Sequence, residues 1–157
     1  MSIVLLATIP LASADMQVDL LANQTLDVGM VNVTCDGNNL SIKYITEDGW
    51  TLNETHLAVA GNITGIPTTK KGNPTPGQFD YSERYSPGVI EYTYIVPIAD
   101  LNLEEGDTTV IIAAHAAVQQ EEGYEGITLL EEGAWGEGYR FVPKGDWAMY
   151  FEYDITA

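Results

Sequence analysis

One cysteine, two histidines and six lysines and arginines in 157 residues set the first limits on this chain. With Cys35 as the only thiol, no disulfide can form within the chain, and the fold has to rest on its own core. Cys35 shares an alternation phase with Val31 and Val33. A buried, inert thiol is therefore expected, with an intermolecular disulfide as the alternative. The six bases stand against 23 aspartates and glutamates, a formal net charge of −17. Such a surface repels polyphosphates and anionic lipid, so nucleic acid is not an expected partner. No apolar run reaches the roughly 20 residues that a membrane-spanning helix needs. There is also no G-x-S-x-G, no glycine-rich phosphate loop and no nucleophile spaced with a base, so acyl and phosphoryl transfer lack support. A 45% apolar and 18% charged composition argues against disorder.

What is present is a pattern of strands. Residues 108–120, TTVIIAAHAAVQQ, are apolar almost without interruption, as expected of a central strand covered on both faces. Its Ala-rich second half leaves helix as the other reading. His115 is its one polar interior residue, and Gly106-Asp107 reads as the turn that starts it. Val31, Val33 and Cys35 alternate with Asn32 and Thr34, Asp36-Gly37 makes a turn, and Leu40, Ile42 and Tyr44 resume the alternation, which is a β-hairpin pattern. After a turn at Glu47-Asp48-Gly49 come Trp50, Leu52 and a strand over 55–60, with Leu57 and Val59 on one side and His56, Ala58 and Ala60 on the other. Residues 61–88 hold five glycines and four of the seven prolines, a long ordered loop or a crossing between sheets. Strands return over 89–96 and 146–155, with a second crossing over 97–107. These signals indicate an all-β fold: a single antiparallel β-sandwich, Greek-key or jelly-roll-like, of about 7–8 strands with long Gly/Pro-rich loops.

Residues 1–14, MSIVLLATIPLASA, place an apolar core before an A-x-A site, the form of a secretory signal peptide, although no lysine or arginine precedes the core. The expected organisation is signal peptide 1–14 and one domain, 15–157, placed outside the cell or on its surface with no membrane insertion after cleavage. Five of the eight asparagines open an N-x-Ser/Thr triplet: Asn23, Asn32, Asn39, Asn53 and Asn62. Chance would give about one, and the excess fits an exported glycoprotein.

Three constellations carry chemistry. Asp100, Asn102 and Glu104 suggest a calcium loop, but the EF-hand positions for Gly and the bidentate Glu hold Glu105 and Ile111. Calcium held between loops is the remaining form, with Asp80, Glu83, Glu131, Glu132 and Glu137 as candidate ligands. Glu54 and His56 would share one face of a strand, and His115 on a paired strand would complete a three-ligand zinc site suited to hydrolysis. Two histidines on two strands match no diagnostic zinc spacing, and satisfied core histidines are the alternative. Trp50, Trp135, Tyr81, Tyr85, Tyr124 and Tyr139 fall in or beside predicted loops, where aromatic rings stack on sugars or cap the ends of a sandwich.

The segments GWTLNETHLAV, IPTTKKGNPTPGQF, GDTTVIIAAHAAV, AWGEGYRF and GDWAMYFEY resemble a family of uncharacterised secreted domains in surface and extracellular proteins of archaea and bacteria. The resemblance covers roughly 28–153 and implies export and a single β-domain, with no established activity. Glu54, His56, Gly72, Pro74, Gly77, His115, Trp135, Gly136 and Gly138 are the positions that carry it. The expected function is a non-enzymatic surface module for adhesion or matrix association, calcium-stabilised in one version, with other surface proteins as partners. The first alternative is a carbohydrate-binding module, with glycans met by Trp135, Glu137 and the other loop aromatics, and the second is a zinc-dependent hydrolase.

Overall fold

The structure, a computed structural model, describes residues 15–122 and 128–156, and side chains outside 121–129. The expected signal segment and Tyr124 lie outside the described residues. Among the described residues there are ten strands: β1 Met16–Ala22, β2 Leu26–Cys35, β3 Asn39–Thr46, β4 Trp50–Ala60, β5 Tyr81–Val89, β6 Glu91–Pro97, β7 Thr109–Glu122, β8 Thr128–Gly136, β9 Tyr139–Arg140 and β10 Met149–Asp154. All pairings are antiparallel, in the order β5-β4-β7-β8-β1-β2-β3-β6. One edge of β7 is shared: β10 takes its first residues and β8 its second half.

The all-β, antiparallel, sandwich-like reading holds. The path bends back where Leu20–Ala22 meets Gly136–Ala134, so that β1-β2-β3-β6 and β5-β4-β7 bury one core between them. Tyr44 ties the two layers by donating its hydroxyl to the carbonyl of His56 at 2.9 Å. At the open side β5 and β6 are the ends of the path, and Tyr81, Tyr85, Tyr92 and Tyr94 pack between them, Tyr94 edge to face with Tyr81 and Tyr92 and Tyr85 tilted against Tyr92. Thr55 Oγ1 bridges the hydroxyls of Tyr85 and Tyr94 at 2.8 and 2.6 Å, which satisfies three polar groups in the interior.

Local chemistry explains the main elements. Asp36 Oδ1 accepts the backbone N–H of Asn38 and Asn39, and Gly37 takes φ +95°, so the expected hairpin turn forms between β2 and β3. In β4, Trp50 and Leu52 are in even phase while Thr55 and Leu57 are in odd phase, yet all four are buried. A β-bulge between Leu52 and Glu54 resolves the conflict by inserting one residue. The consequence is that Glu54, His56, Ala58 and Ala60 follow one another on the opposite, outer face.

That outer face is covered as well. Ala58, Ala60, Ile111, Ala113 and Trp135 form a second core with Ile66 and Phe79 from the loop over 61–80, and with Ala148 and Met149 from the chain end. The loop contains two 3-10 turns, Ile63–Gly65 and Pro76–Gln78, and one bridge between Thr68 and Pro74. The stretch 61–88 is therefore a cover followed by strand β5 and is not a crossing as a whole. Residues 97–107 do cross, from β6 in one layer to β7 in the other. They carry a short 3-10 turn, Ile98–Leu101, that ends at Asn102 in the left-handed region. Among the described residues no helix is long and apolar enough to cross a membrane.

Candidate functional site

Four of the predicted site residues, Glu54, His56, His115 and Trp135, meet on the outer face of three adjacent strands. His56 of β4, His115 of β7 and Trp135 of β8 are direct register partners, which makes one row across the sheet. The ring centroids of His56 and His115 are 5.6 Å apart, and those of His115 and Trp135 4.6 Å. Glu54 lies two residues before His56 on the same face, and its Oε1 accepts from His56 Nε2 at 2.8 Å. Arg84 Nε, on β5, approaches the same oxygen at 3.5 Å. The Nε2-protonated tautomer of His56 follows from that contact, since a carboxylate only accepts. The adjacent register row is Glu54, Ala117 and Gly133. A Cβ on Gly133 would sit 3.6 Å from His115 Nε2, so the missing side chain leaves that edge of the imidazole uncovered. A shallow depression of about 380 Å³ opens there, lined by Glu54, Ala117, Gly133, Glu131 and Glu132 among others.

The electrostatics of the row follow from its burial. His115 is largely withdrawn from water, and desolvation, with a smaller contribution from nearby His56, lowers its pKa from 6.5 to about 4. At neutral pH it is an uncharged ring stacked between two others. The Nδ1 atoms of both histidines are buried without a hydrogen-bond partner, so neither site provides an acceptor for a second proton. The linkage sign is that of a base with a depressed folded-state pKa. The unfolded chain binds the extra proton between pH 6.5 and about 4, so stability is complete above that window and is lost as pH falls through it. At one pKa unit per 1.36 kcal/mol, the loss from this one group is of order 3 kcal/mol.

The structure thus brings Glu54, His56, His115 and Trp135 together. The sequence brings the two histidines together only if their strands pair, and it places Trp135 in or beside a loop. Trp135 is in β8, 5% exposed, with its ring against His115, Phe79 and Phe141. It has no free face on which a sugar can stack. Trp50, at 4%, is likewise interior. Glu137 is exposed just past β8, where its N–H donates to Asp19 O at 2.8 Å, and it does not reach the row. Among the described residues no group of three or more His, Cys, Asp or Glu side chains is placed to hold a metal ion. Glu54 is instead engaged by His56 and Arg84. Phe79, Ile66, Ala117, Gly133 and Arg84, which complete the surroundings, were not singled out by sequence. The only signal for the first two was isolated apolar residues in a Gly/Pro-rich stretch.

The acids suggested for calcium are distributed differently. Asp80, Asp100, Glu104 and Asp107 line one polar cleft of about 700 Å³ with Asn62, Thr64 and Asn102, while Glu83, Glu131, Glu132 and Glu137 lie elsewhere. Asp107 Oδ2 caps the turn by accepting the N–H of Glu104 at 2.8 Å. The five sequon asparagines differ in setting. Asn23 and Asn62 are exposed in turns, whereas Asn32, Asn39 and Asn53 sit within strands and are half-buried. The amide nitrogen of Asn53 is already committed to Gln119 Oε1. Of the aromatic residues set apart for sugar contact that are among the described residues, Tyr139 is the one that stands out in solvent, 61% exposed, opposite Tyr150 on the β9–β10 ribbon.

Compared with protein families, with curated proteins and with solved structures, the chain finds no match in any of the three.

Proposed function

We propose that this chain is a non-enzymatic β-sandwich module exported to the cell surface or medium, where it acts in adhesion or matrix association. The observation that carries this reading is the closure of the Glu54-His56-His115-Trp135 row. Glu54 is engaged by His56, the rings of His56, His115 and Trp135 lie against one another, and Trp135 packs under Phe79. A general base has to reach the proton it abstracts, and here His56 holds its Nε2 proton against Glu54 while its Nδ1 is buried. Acidity, the excess of sequons and the signal-like first 14 residues support export. A panel of ester, glycoside, phosphate and peptide substrates should show no turnover by the pure protein. Turnover that disappears in Glu54→Gln or His56→Gln would overturn the reading.

Carbohydrate binding is the second reading, favoured now by Tyr139 in place of the buried tryptophans. Tyr139, Tyr150 and Phe141 form a stepped aromatic surface, with centroid separations of 5.8 and 5.0 Å, on the two-stranded ribbon. Removal of Tyr139 as Tyr139→Ala is expected to weaken glycan binding about tenfold, because a stacked ring contributes on the order of 1 kcal/mol or more. Stability should change by no more than about 0.5 kcal/mol, as for other exposed positions. A glycan array with the wild type and this variant checks the expectation, and equal binding by both removes the stacking surface from the account.

A further inference from the structure

The path of strands has two ends, and they are finished differently. β5 is guarded: Pro87 removes a donor from it, Glu83 and Arg84 stand exposed along it, and its pairing with β4 is irregular between Leu52 and Glu54. Those are the usual means by which a sheet edge avoids further pairing. β6 pairs with β3 in unbroken register from Glu91 to Pro97 and has no proline before its last residue. Its one charged residue, Glu91, is met by Lys43 of β3 at 3.3 Å.

The register with β3 also tells which main-chain groups of β6 are spare. At the two ends of this ladder Thr46 N–H donates to Ile90 O and Ile98 N–H donates to Asn38 O, both at 2.9 Å. Bonded and non-bonded pairs alternate along an antiparallel ladder, so the main chain of Tyr92, Tyr94 and Val96 faces β3, and that of Glu91, Thr93 and Ile95 faces away. Among the described residues no strand pairs with that second side. The side chains of Glu91, Thr93 and Ile95 are exposed as well. Ile95, at 55%, and Ile90 at the entrance to the strand, at 63%, are the two most exposed large aliphatic residues described. Charge decides what fits this edge. In a chain of net charge −17, the outer face of β3 and β6 carries a single acid and a single base, which are paired, and the outward Met30, Asn32 and Thr34 of β2 add no charge. A basic partner is drawn to the acids elsewhere on the surface. A second copy of this acidic chain is repelled least at such a neutral face.

We propose that two copies of this chain pair through β6, antiparallel about a two-fold axis at Thr93, so that β3 and β6 of both copies form one continuous sheet. This goes beyond the adhesion reading and does not depend on it. The register follows from the spare groups, since a two-fold interface sets the same edge against itself. Centred on Glu91, the pairing would place two carboxylates directly opposite each other. Centred on Ile95, it would place Pro97, which has no N–H to give, opposite Thr93. With the axis at Thr93, the outward N–H and C=O groups of all three residues are used in each copy. Threonine then meets threonine, and Ile95 of one copy lies opposite Glu91 and beside Ile90 of the other, so the exposed isoleucines are covered.

The test is sedimentation of the protein over a wide concentration range, at about 0.01 M and about 1 M salt, where the screening length falls from about 30 to about 3 Å. The wild type is expected to form dimers, and to form them more tightly at the higher salt because screening removes the repulsion between two acidic copies. Thr93→Pro deletes an N–H that faces away from β3, so the variant should fold and stay monomeric. Ile95→Glu sets a carboxylate opposite Glu91 of the other copy and Ile95→Lys sets an ammonium there, so the first should dimerise at least about tenfold more weakly than the second. This second pair reads the register even if Thr93→Pro folds poorly. A wild type that is monomeric throughout, dimers that weaken with salt, wild-type association by a folded Thr93→Pro, or equal association by the two Ile95 variants each overturns the pairing.

Discussion

Substitution of Trp135 by alanine is expected to lower the unfolding free energy by about 3–5 kcal/mol, the range for removal of a large buried aromatic residue. The ring is 5% exposed and touches three others, at centroid distances of 4.6 Å to His115 and 6.3 Å to both Phe79 and Phe141. Its backbone pairs with His115 on one side and with Leu21 on the other, so it stands where β7, β8 and β1 adjoin. Truncation leaves a cavity under the cover at the bend that joins the two layers. Trp135→Phe should cost clearly less, since much of the volume is retained. Urea unfolding of the three proteins measures the series. A loss below about 1 kcal/mol in Trp135→Ala is the value of a surface position. It would return Trp135 to the role of an exposed, sugar-stacking ring.

Gly29→Ala is expected to be comparably damaging for a different reason. An added Cβ would lie 1.9 Å from the carbonyl oxygen of Ile45 and 2.8 Å from the Cα of Thr46, both backbone atoms of the facing strand β3. The residue also has φ +157°, at the margin of the region that L-residues avoid. The β2–β3 ladder pairs Gly29 with Thr46 and the β1–β2 ladder pairs Leu20 with Gly29, so the backbone cannot retreat on either side without breaking pairing. A cost of about 3 kcal/mol or more follows from a clash that only main-chain movement relieves. Gly37→Ala is the internal control. It has φ +95° in the hairpin turn, but a Cβ there meets nothing within 4 Å, so only conformational strain of about 1 kcal/mol is expected. Equal thermal midpoints for the two variants would show that close approach, as distinct from backbone conformation, is not what requires glycine at position 29.

Different parts of the fold were visible in the sequence to different degrees. β7 was plain because both of its faces are covered, which removes polar residues from thirteen consecutive positions apart from His115, the terminal threonines and the glutamines. The β2–β3 hairpin was plain because Asp36-Gly37 supplies both the side-chain acceptor and the positive φ of its turn. β4 was read as alternating, but the change from the Trp50-Leu52 phase to the Thr55-Leu57 phase was itself the sign of a bulge. That shift is what sets Glu54 beside His56 on the outer face. β5 was obscured because an edge strand buries little: YSERYSPGV has no apolar alternation, and Pro87 is acceptable only at an edge. β8 was obscured by glutamates and Gly133, since before residue 134 it lies short of the bend at β1 and pairs with β7 alone.

The candidate site was legible as residue types and not as an environment. Two-residue spacing put Glu54 and His56 on one face, and the central strand held His115. Nothing in the local sequence could say that the face was covered. Burial by 61–80 depends on Ile66 and Phe79 docking from a segment whose own pattern is that of a loop. That cover takes Trp135 out of solvent, and burial within the row holds His115 uncharged.

The central claim is therefore that His115 is an interior, uncharged ring, and the most direct measurement is an NMR titration of the imidazole resonances from about pH 8 to about pH 3. With only two histidines, comparison with His56→Gln assigns both. The account predicts that His115 stays neutral through pH 6 and titrates at about 4, with unfolding free energy declining across the window between 6.5 and that value. A midpoint for His115 near 6.5, the value of a ring in water, would mean that the face is open and that the row is available to ligands.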